Sequence, residues 1–401
     1  MANILISSLG TGDREKGYQS AKYEYKNHTK ETKVISKALV EFLDIDKLFL
    51  VGTQGSFWDN CYSNFNGKDQ EYELKLYEKI TSKEITANSL NPLCKTIDDF
   101  TKSNGSKCFL IKYGKNEEEL WYNFEQYLEI LEHIEDDDVL YIDITHSFRS
   151  LALMSLLMVQ FGQVIKNKNF TIGGIYYGMH ECSKENLEGI TPIVDLKIFY
   201  DLLEWITAID AFKNYARSDR IEKLLSRDEE ISNITKDTFK DYDANIAFAN
   251  MNALKKFIEK AKESLATLEK SKSPIVRLLS GDIVNFIKKL DHKELSKFQL
   301  ALAQWYYDNK NYALSFLVLT EAIVTRECEV SNLNVVGKDS RNEAKKSLYE
   351  RTSRCEVGKT YSTISKIRNS IAHQGGKNIQ THKEIDNLKK YFRIVNKFIK
   401  T

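Results

Sequence analysis

The chain has 401 residues, 42% of them hydrophobic and 11% aromatic, enough to fill the cores of two domains or three. No run approaches the ~20 consecutive apolar residues of a membrane helix, and Met1-Ala2-Asn3-Ile4-Leu5-Ile6 has no basic stretch ahead of its apolar run. A cytoplasmic protein with no signal peptide and no membrane contact is therefore expected. Six scattered cysteines without a CxxC pair argue for reduced thiols and against a disulfide framework or a zinc site. The net charge of +1 conceals a split: residues 341–401 carry 15 Lys/Arg against 5 Asp/Glu, and the preceding 340 carry 43 against 52. A basic carboxyl-terminal segment suits a polyanion, or forms the solvated lysine face of a helix.

Taken in chain order, residues 1 to about 200 alternate strands and helices. Short apolar runs occur at Ile4–Leu9, Lys47–Val51, Cys108–Ile111, Val139–Ile144 and Ile172–Tyr177. Each is continuous and rich in branched or aromatic residues, as expected of strands buried on both faces of a parallel sheet. Helical stretches lie between them at Thr32–Leu43, Glu117–Ile134 and Phe148–Ile165. The pattern predicts a doubly wound, Rossmann-like α/β domain over residues 1–200. From about Leu196 onward the period becomes helical: Ala253–Leu268, Ile275–Leu290, Leu295–Tyr307, Tyr312–Cys328, Tyr361–Ala372 and Ile385–Ile399. An all-α domain is expected over 201–401. Ser218–Asp243 is charged and patternless, read as a loop or a mobile helix pair.

In an open α/β sheet ligands gather beyond the carboxyl ends of the strands. Here those ends are Gly10-Thr11-Gly12, Gly52-Thr53-Gln54-Gly55-Ser56-Phe57-Trp58-Asp59 and Thr145-His146-Ser147-Phe148-Arg149. Glycine amides and hydroxyls suit phosphates. The third glycine of a dinucleotide fingerprint and a Walker lysine are both missing, so an anionic nucleotide fits better than NAD or a P-loop triphosphate. Trp58 could stack a base, or pack inside a tight turn. Thr145 or Ser147 could cap the following helix, whose N-terminus attracts anions, with His146 and Arg149 adding contacts to phosphate or base, or this is a capped helix with an incidental histidine.

Near the other end, Arg368-Asn369-Ser370-Ile371-Ala372-His373, followed by Gly375-Gly376, reads Arg-x4-His. Arginine carries a permanent charge for a phosphate, and histidine moves protons near neutral pH. Five residues at 100° each set Arg368 and His373 about 140° apart on an ideal helix, so a cleft shared by two copies makes better chemical sense than one copy alone. The other reading is a cationic helix end satisfying the macrodipole. Glu321, the embedded acid of the apolar stretch Tyr312–Arg326, could pair with Arg368 or form a structural salt bridge elsewhere.

Together these loops and the Arg368/His373 pair resemble the CARF–HEPN ribonucleases that accompany type III CRISPR systems. The resemblance implies a CARF domain at 1–200 and a HEPN ribonuclease domain at 201–401, with Ser218–Leu290 a family-variable helical insertion. It implies a homodimer, with higher oligomers left open. Cyclic oligoadenylate, four adenylates favoured over six, would bind at Gly10, Thr11, Gly12, Gly52, Thr53, Gln54, Trp58, Thr145, His146, Ser147 and Arg149. The expected activity is metal-independent cleavage of single-stranded RNA at Arg368, Asn369 and His373, without a cofactor. Two alternatives stay open: a regulator that binds nucleic acid without cutting it, and a CARF domain that slowly degrades its own activator through Thr11, Thr145 and His146.

Overall fold

A computed structural model describes residues 1–12, 19–184, 189–215, 217–227, 242–272, 274–372 and 381–400, with the backbone alone at 263–267, 275, 279, 283 and 381. The chain divides into two compact units, Met1–Asp201 and Leu202–Thr401.

In the first unit, five strands match the apolar runs: β1 (Asn3–Leu9), β4 (Lys47–Gly52), β5 (Lys107–Leu110), β6 (Val139–Asp143) and β7 (Thr171–Gly178). Three more were not legible as strands: β2 (Ala21–Tyr25), β3 (His28–Thr32) and β8 (Ile190–Asp195). The eight form one sheet in the order β3-β2-β8-β7-β6-β1-β4-β5. The expectation of a parallel sheet holds for β5-β4-β1-β6-β7 but needs correction beyond it. β8 runs antiparallel to β7, and β2 antiparallel to β3. Alternation along β1 explains its continuous apolarity. Leu5 and Leu9 face one layer with Leu48 and Leu50; Ile4 and Ile6 face the other with Phe49 and Val51. Helices α1 (Ile35–Phe42), α2 (Trp58–Asn64), α3 (Gln70–Ser82) and α4 (Asn91–Thr101) supply side chains to the first layer. Helices α5 (Glu117–Glu132) and α6 (Arg149–Val164) cover the second. A short α7 (His180–Ser183) precedes β8.

Among the described residues the second unit is helical throughout. After α8 (Lys197–Tyr215), inside which the division falls, come α9 (Asp219–Ser226), α10 (Tyr242–Ala247), α11 (Met251–Glu269), α12 (Pro274–Leu290), α13 (Leu295–Asp308), α14 (Tyr312–Val330), α15 (Lys338–Glu350), α16 (Glu356–Ala372) and α17 (Thr381–Lys400). Residues 228–241 of the patternless stretch lie outside the described residues, while its two ends are helical. α14 is buried nearly all round, from Ser315 and Phe316 to Glu327 and Cys328. Such a helix is apolar on every face and forms the centre of its domain.

Candidate functional site: the carboxyl edge of the sheet

β1 lies between β4 and β6, so the three nominated loops emerge side by side. Their contacts tie them together. The Phe57 amide donates to the Gly10 carbonyl at 3.2 Å, and the Ser56 hydroxyl donates to the Leu9 carbonyl at 2.7 Å. Ser8 and Ser147 join β1 to the third loop through a 3.1 Å hydroxyl contact. Gly12 has φ +47°, and a Cβ there would lie 2.1 Å from Cε2 of Phe57. Only glycine combines that backbone with that close approach.

The hub of the third loop is Asp143, which was not among the site residues expected from the sequence. It is buried at the end of β6. Its Oδ2 accepts from the Ser7 hydroxyl at 2.6 Å, and its Oδ1 accepts from the Thr145 amide at 2.9 Å and hydroxyl at 2.6 Å. Burial pushes its carboxyl up, while those three donors pull it down. The Thr145 hydroxyl also accepts from the Gly178 amide at 2.8 Å, linking the loop to β7.

These bonds correct the capping expectation. Neither Thr145 nor Ser147 caps α6; the N-cap is Phe148, with no side-chain cap bond. Both hydroxyls are already engaged, with Asp143 and Gly178 in one case and Ser8 in the other. α6 therefore starts with uncapped amides and the exposed Arg149 at its first position. A cation at a helix N-terminus opposes the macrodipole. The two together become favourable when an anion shares the site.

Trp58 also needs correction as a stacking surface. It is 0% exposed, its indole N–H donates to the Thr53 carbonyl at 2.8 Å, and its ring packs over Gly52, where a Cβ would sit 2.6 Å from Cζ2. Thr53 is likewise buried, its amide given to Ser56 Oγ at 2.9 Å. Gly52, Thr53 and Trp58 thus form the skeleton of the turn. Gln54, Gly12 and Arg149 are exposed, and Gly10, Thr11, His146 and Ser147 half-buried. An aromatic the sequence reading passed over is Tyr113, in the loop after β5. It is 43% exposed, its ring 5.6 Å from that of Phe148. The signal was available, since Tyr113 stands three residues past the end of β5.

His146 has its ring Nε2 buried. Burial, with a smaller push from His180, lowers its pKa to about 4. A histidine depressed in the fold binds fewer protons folded than unfolded between that value and about 6.5. Stability therefore falls as pH drops through this window, by about 2 kcal/mol between pH 7 and pH 5. Denaturant unfolding at the two pH values should show this loss, and His146→Gln should remove it. An equal loss in the variant would place the pH sensitivity elsewhere.

In the second unit, Arg368 is half-buried on α16 and Asn369 exposed. His373, Gly375 and Gly376 lie outside the described residues. The suggested Glu321–Arg368 pair does not form. Glu321 is ion-paired with Arg341, which also donates to Thr325 Oγ1 at 3.1 Å and the Val335 carbonyl at 2.7 Å. The neighbouring acids of α14 are also matched: Glu327 with Arg351, and Glu329 with Arg326 and Ser296. Arg368 has its Nε buried with no hydrogen-bond partner among the described residues. Tyr361, about two turns earlier on α16, lies within the electrostatic reach of both Glu321 and Arg368, and burial raises its hydroxyl to about 12. A half-buried guanidinium without a carboxylate partner among the described residues favours an external anion.

Residues 4–181 match the family described as CRISPR system endoribonuclease Csx1, CARF domain, and residues 201–296 match CRISPR-associated protein MJ1674, second domain. The second match includes all of Ser218–Leu290, the segment read from the sequence as a family-variable helical insertion. CRISPR-associated protein MJ1674 of Methanocaldococcus jannaschii is 31% identical over 410 residues, covering 93% of this chain and 62% of that protein; the chain spans about three-fifths of its relative's length. Among solved structures, Enterococcus italicus Csm6 bound to cyclic hexa-2′-fluoro-hexa-dAMP aligns with a TM-score of 0.44 and 11% identity, over 100% of this chain and 94% of that one. Over residues 4–181, which lie within the unit carrying this sheet and this loop set, the chain is thus similar to the CARF domain of that endoribonuclease family.

Proposed function

We propose that this chain is a cyclic-oligoadenylate-activated endoribonuclease of type III CRISPR defence, working as a homodimer and cutting single-stranded RNA in its helical, HEPN-type domain. The observation that carries the reading is the presence, in one chain with a CARF domain, of an arginine on α16 whose guanidinium has no carboxylate partner among the described residues. In the reaction, an RNA 2′-OH attacks the adjacent phosphorus and the P–O5′ bond breaks. The proton lost by the 2′-OH ends on the departing 5′-oxygen, leaving a 2′,3′-cyclic phosphate and a free 5′-OH. Arg368 stabilises the added charge on the phosphoryl oxygens, His373 handles the proton, and Asn369 positions one of them.

Homodimerisation is supported by the outer face of α6. Leu153, Leu157 and Val164 are exposed and recur at i, i+4 and i+11, within about 40° of one another. Arg149 heads the same stripe. A second copy covering this stripe would bring two Arg149 side chains to one two-fold axis, where a ring of phosphates would neutralise them. The test is incubation of the full chain, in EDTA, with a fluorescent RNA reporter and either cyclic tetra- or hexa-adenylate. Cleavage that depends on one of these rings is expected; no cleavage with either would overturn the reading. Arg149→Ala should raise the activator concentration for half-maximal cleavage at least tenfold while leaving the maximal rate unchanged, because it acts only on the bound ligand. A fall in maximal rate at unchanged activator requirement would remove Arg149 from the activator site.

A further inference from the structure

Within the second unit, α13 and α17 border a groove of about 780 Å³. α17 contributes Lys389, Phe392, Arg393, Asn396, Ile399 and Lys400, and α13 contributes Lys297, Leu300, Ala301, Gln304 and Tyr307. None of these residues lies on α14 or α16, the helices of Glu321 and Arg368. Along α17, residues 389, 393, 396 and 400 follow i, i+4, i+7 and i+11 spacing and so form one stripe. All four are exposed, and among the described residues Lys389, Arg393 and Lys400 have no carboxylate partner. Lys297 on the facing wall shares its charge with Glu294 at 2.9 Å, and His292 closes one end. Among the described residues no acidic side chain lines the groove.

The lining between the cations is apolar and aromatic. Phe392 is buried, and the half-buried Tyr307 meets it at 5.7 Å between ring centroids. The amides of Gln304 and Asn396 add donors and acceptors among them. The helix macrodipole accounts for a cation at Lys400 in the last turn of α17, but not for Lys389 or Arg393, which lie two to three turns from that end. A row of unpaired cations beside an aromatic, amide-bearing wall is the surface chemistry of single-stranded nucleic acid binding: the charges follow the phosphates and the rings accept bases.

We propose that this groove is a docking site for single-stranded RNA, separate from the Arg368 site, that holds a flanking stretch of the strand while another part is cut. The stripe from residue 389 to residue 400 spans about 16 Å, roughly five nucleotides at the ~3.4 Å stacked spacing. The choice of RNA as the strand rests on the function proposed above; the cationic and aromatic character of the groove does not.

The test uses the full chain and a fluorescein-labelled, 2′-O-methylated U12 strand, which has no 2′-OH nucleophile and stays uncut. Anisotropy titrations at several salt concentrations compare the unaltered protein with the double variant Lys389→Ala/Arg393→Ala. Both positions are exposed and mid-helix, so alanine preserves the helix, and circular dichroism verifies it. The variant should bind at least tenfold more weakly at 50 mM salt, with a salt slope shallower by about 1.4 for two lost phosphate contacts. A control pair on another helix, Lys345→Ala/Lys346→Ala, should change neither. Equal affinity and slope in the groove variant, or an equal loss in the control pair, overturns the proposal. Because binding is read without cleavage, a protein that binds the strand through the groove but cuts nothing with either activator would refute the ribonuclease reading alone. A protein that cuts normally yet binds identically with and without Lys389 and Arg393 would refute the groove alone.

Discussion

Arg368→Ala should lower activator-dependent RNA cleavage by at least ~100-fold, the loss of about 3 kcal/mol that follows removal of one group stabilising a developing oxyanion. Activator binding to the amino-terminal unit, measured by calorimetry, should be unaffected. Arg368→Lys should recover little, because a point charge cannot reproduce the planar fork. The physical basis is the fate of the charges around α14. Glu321, Glu327 and Glu329 are each engaged by another arginine, Arg341, Arg351 and Arg326. Arg368 is thereby left with its charge available for a phosphate. Folding should be little changed, since among the described residues Arg368 has no ion pair to break. Cleavage that persists within a few fold of the unaltered protein would remove Arg368 from the reaction, and His373→Ala should be as inactive as Arg368→Ala for the two to belong to one site.

The second large effect concerns the glycine-rich turn after β4. Trp58→Ala should destabilise the protein by about 3–5 kcal/mol, the usual cost of emptying a buried aromatic site. For a unit of this size that lowers the melting temperature by roughly 10 °C. The indole fills the space over Gly52 and donates to the Thr53 carbonyl, which keeps its 3.1 Å bond from the Ser56 amide, so the loss combines a cavity with one hydrogen bond. Trp58→Phe should recover most of the packing and lose only the hydrogen bond, with activator affinity close to that of the unaltered protein. If Trp58→Phe instead kept full stability and lost activator binding, the ring would be a stacking surface and its burial would have to open on binding.

The contrast between Trp58 and Arg149 shows where the sequence is informative. Both stand in motifs at strand ends, and both were nominated from residue type and position. Chemistry at a strand end follows from the parallel sheet, which the continuous apolar runs revealed. Whether a side chain there points outward or into the core depends on the turn's closure, made by Ser56, Phe57 and Gly12 across two loops. No local pattern encodes that. The strands missed have a similar cause. β2 and β3 read AKYEY and HTKET, polar sequences at one end of the sheet, where β3 is the edge strand and pairs with β2 alone. β8 contains Pro192, which lacks a donor and signals against a strand interior. α15 is largely charged and shows too weak an apolar stripe to stand out.

From the sequence alone came the two-part organisation into α/β and helical halves and the strand-end loops, because each rests on local period and side-chain type, and from side-chain type came the nomination of Arg368. The tertiary structure alone decided the mixed sheet, the burial of Trp58, the role of Asp143 in bracing the third loop, and the pairing of Glu321 with Arg341 instead of Arg368. It also set α13 beside α17, turning a basic tail into a groove. Those outcomes depend on which residues meet across 20 to 140 positions of chain, and such meetings are settled by packing and charge matching in the folded state, not by neighbours in sequence.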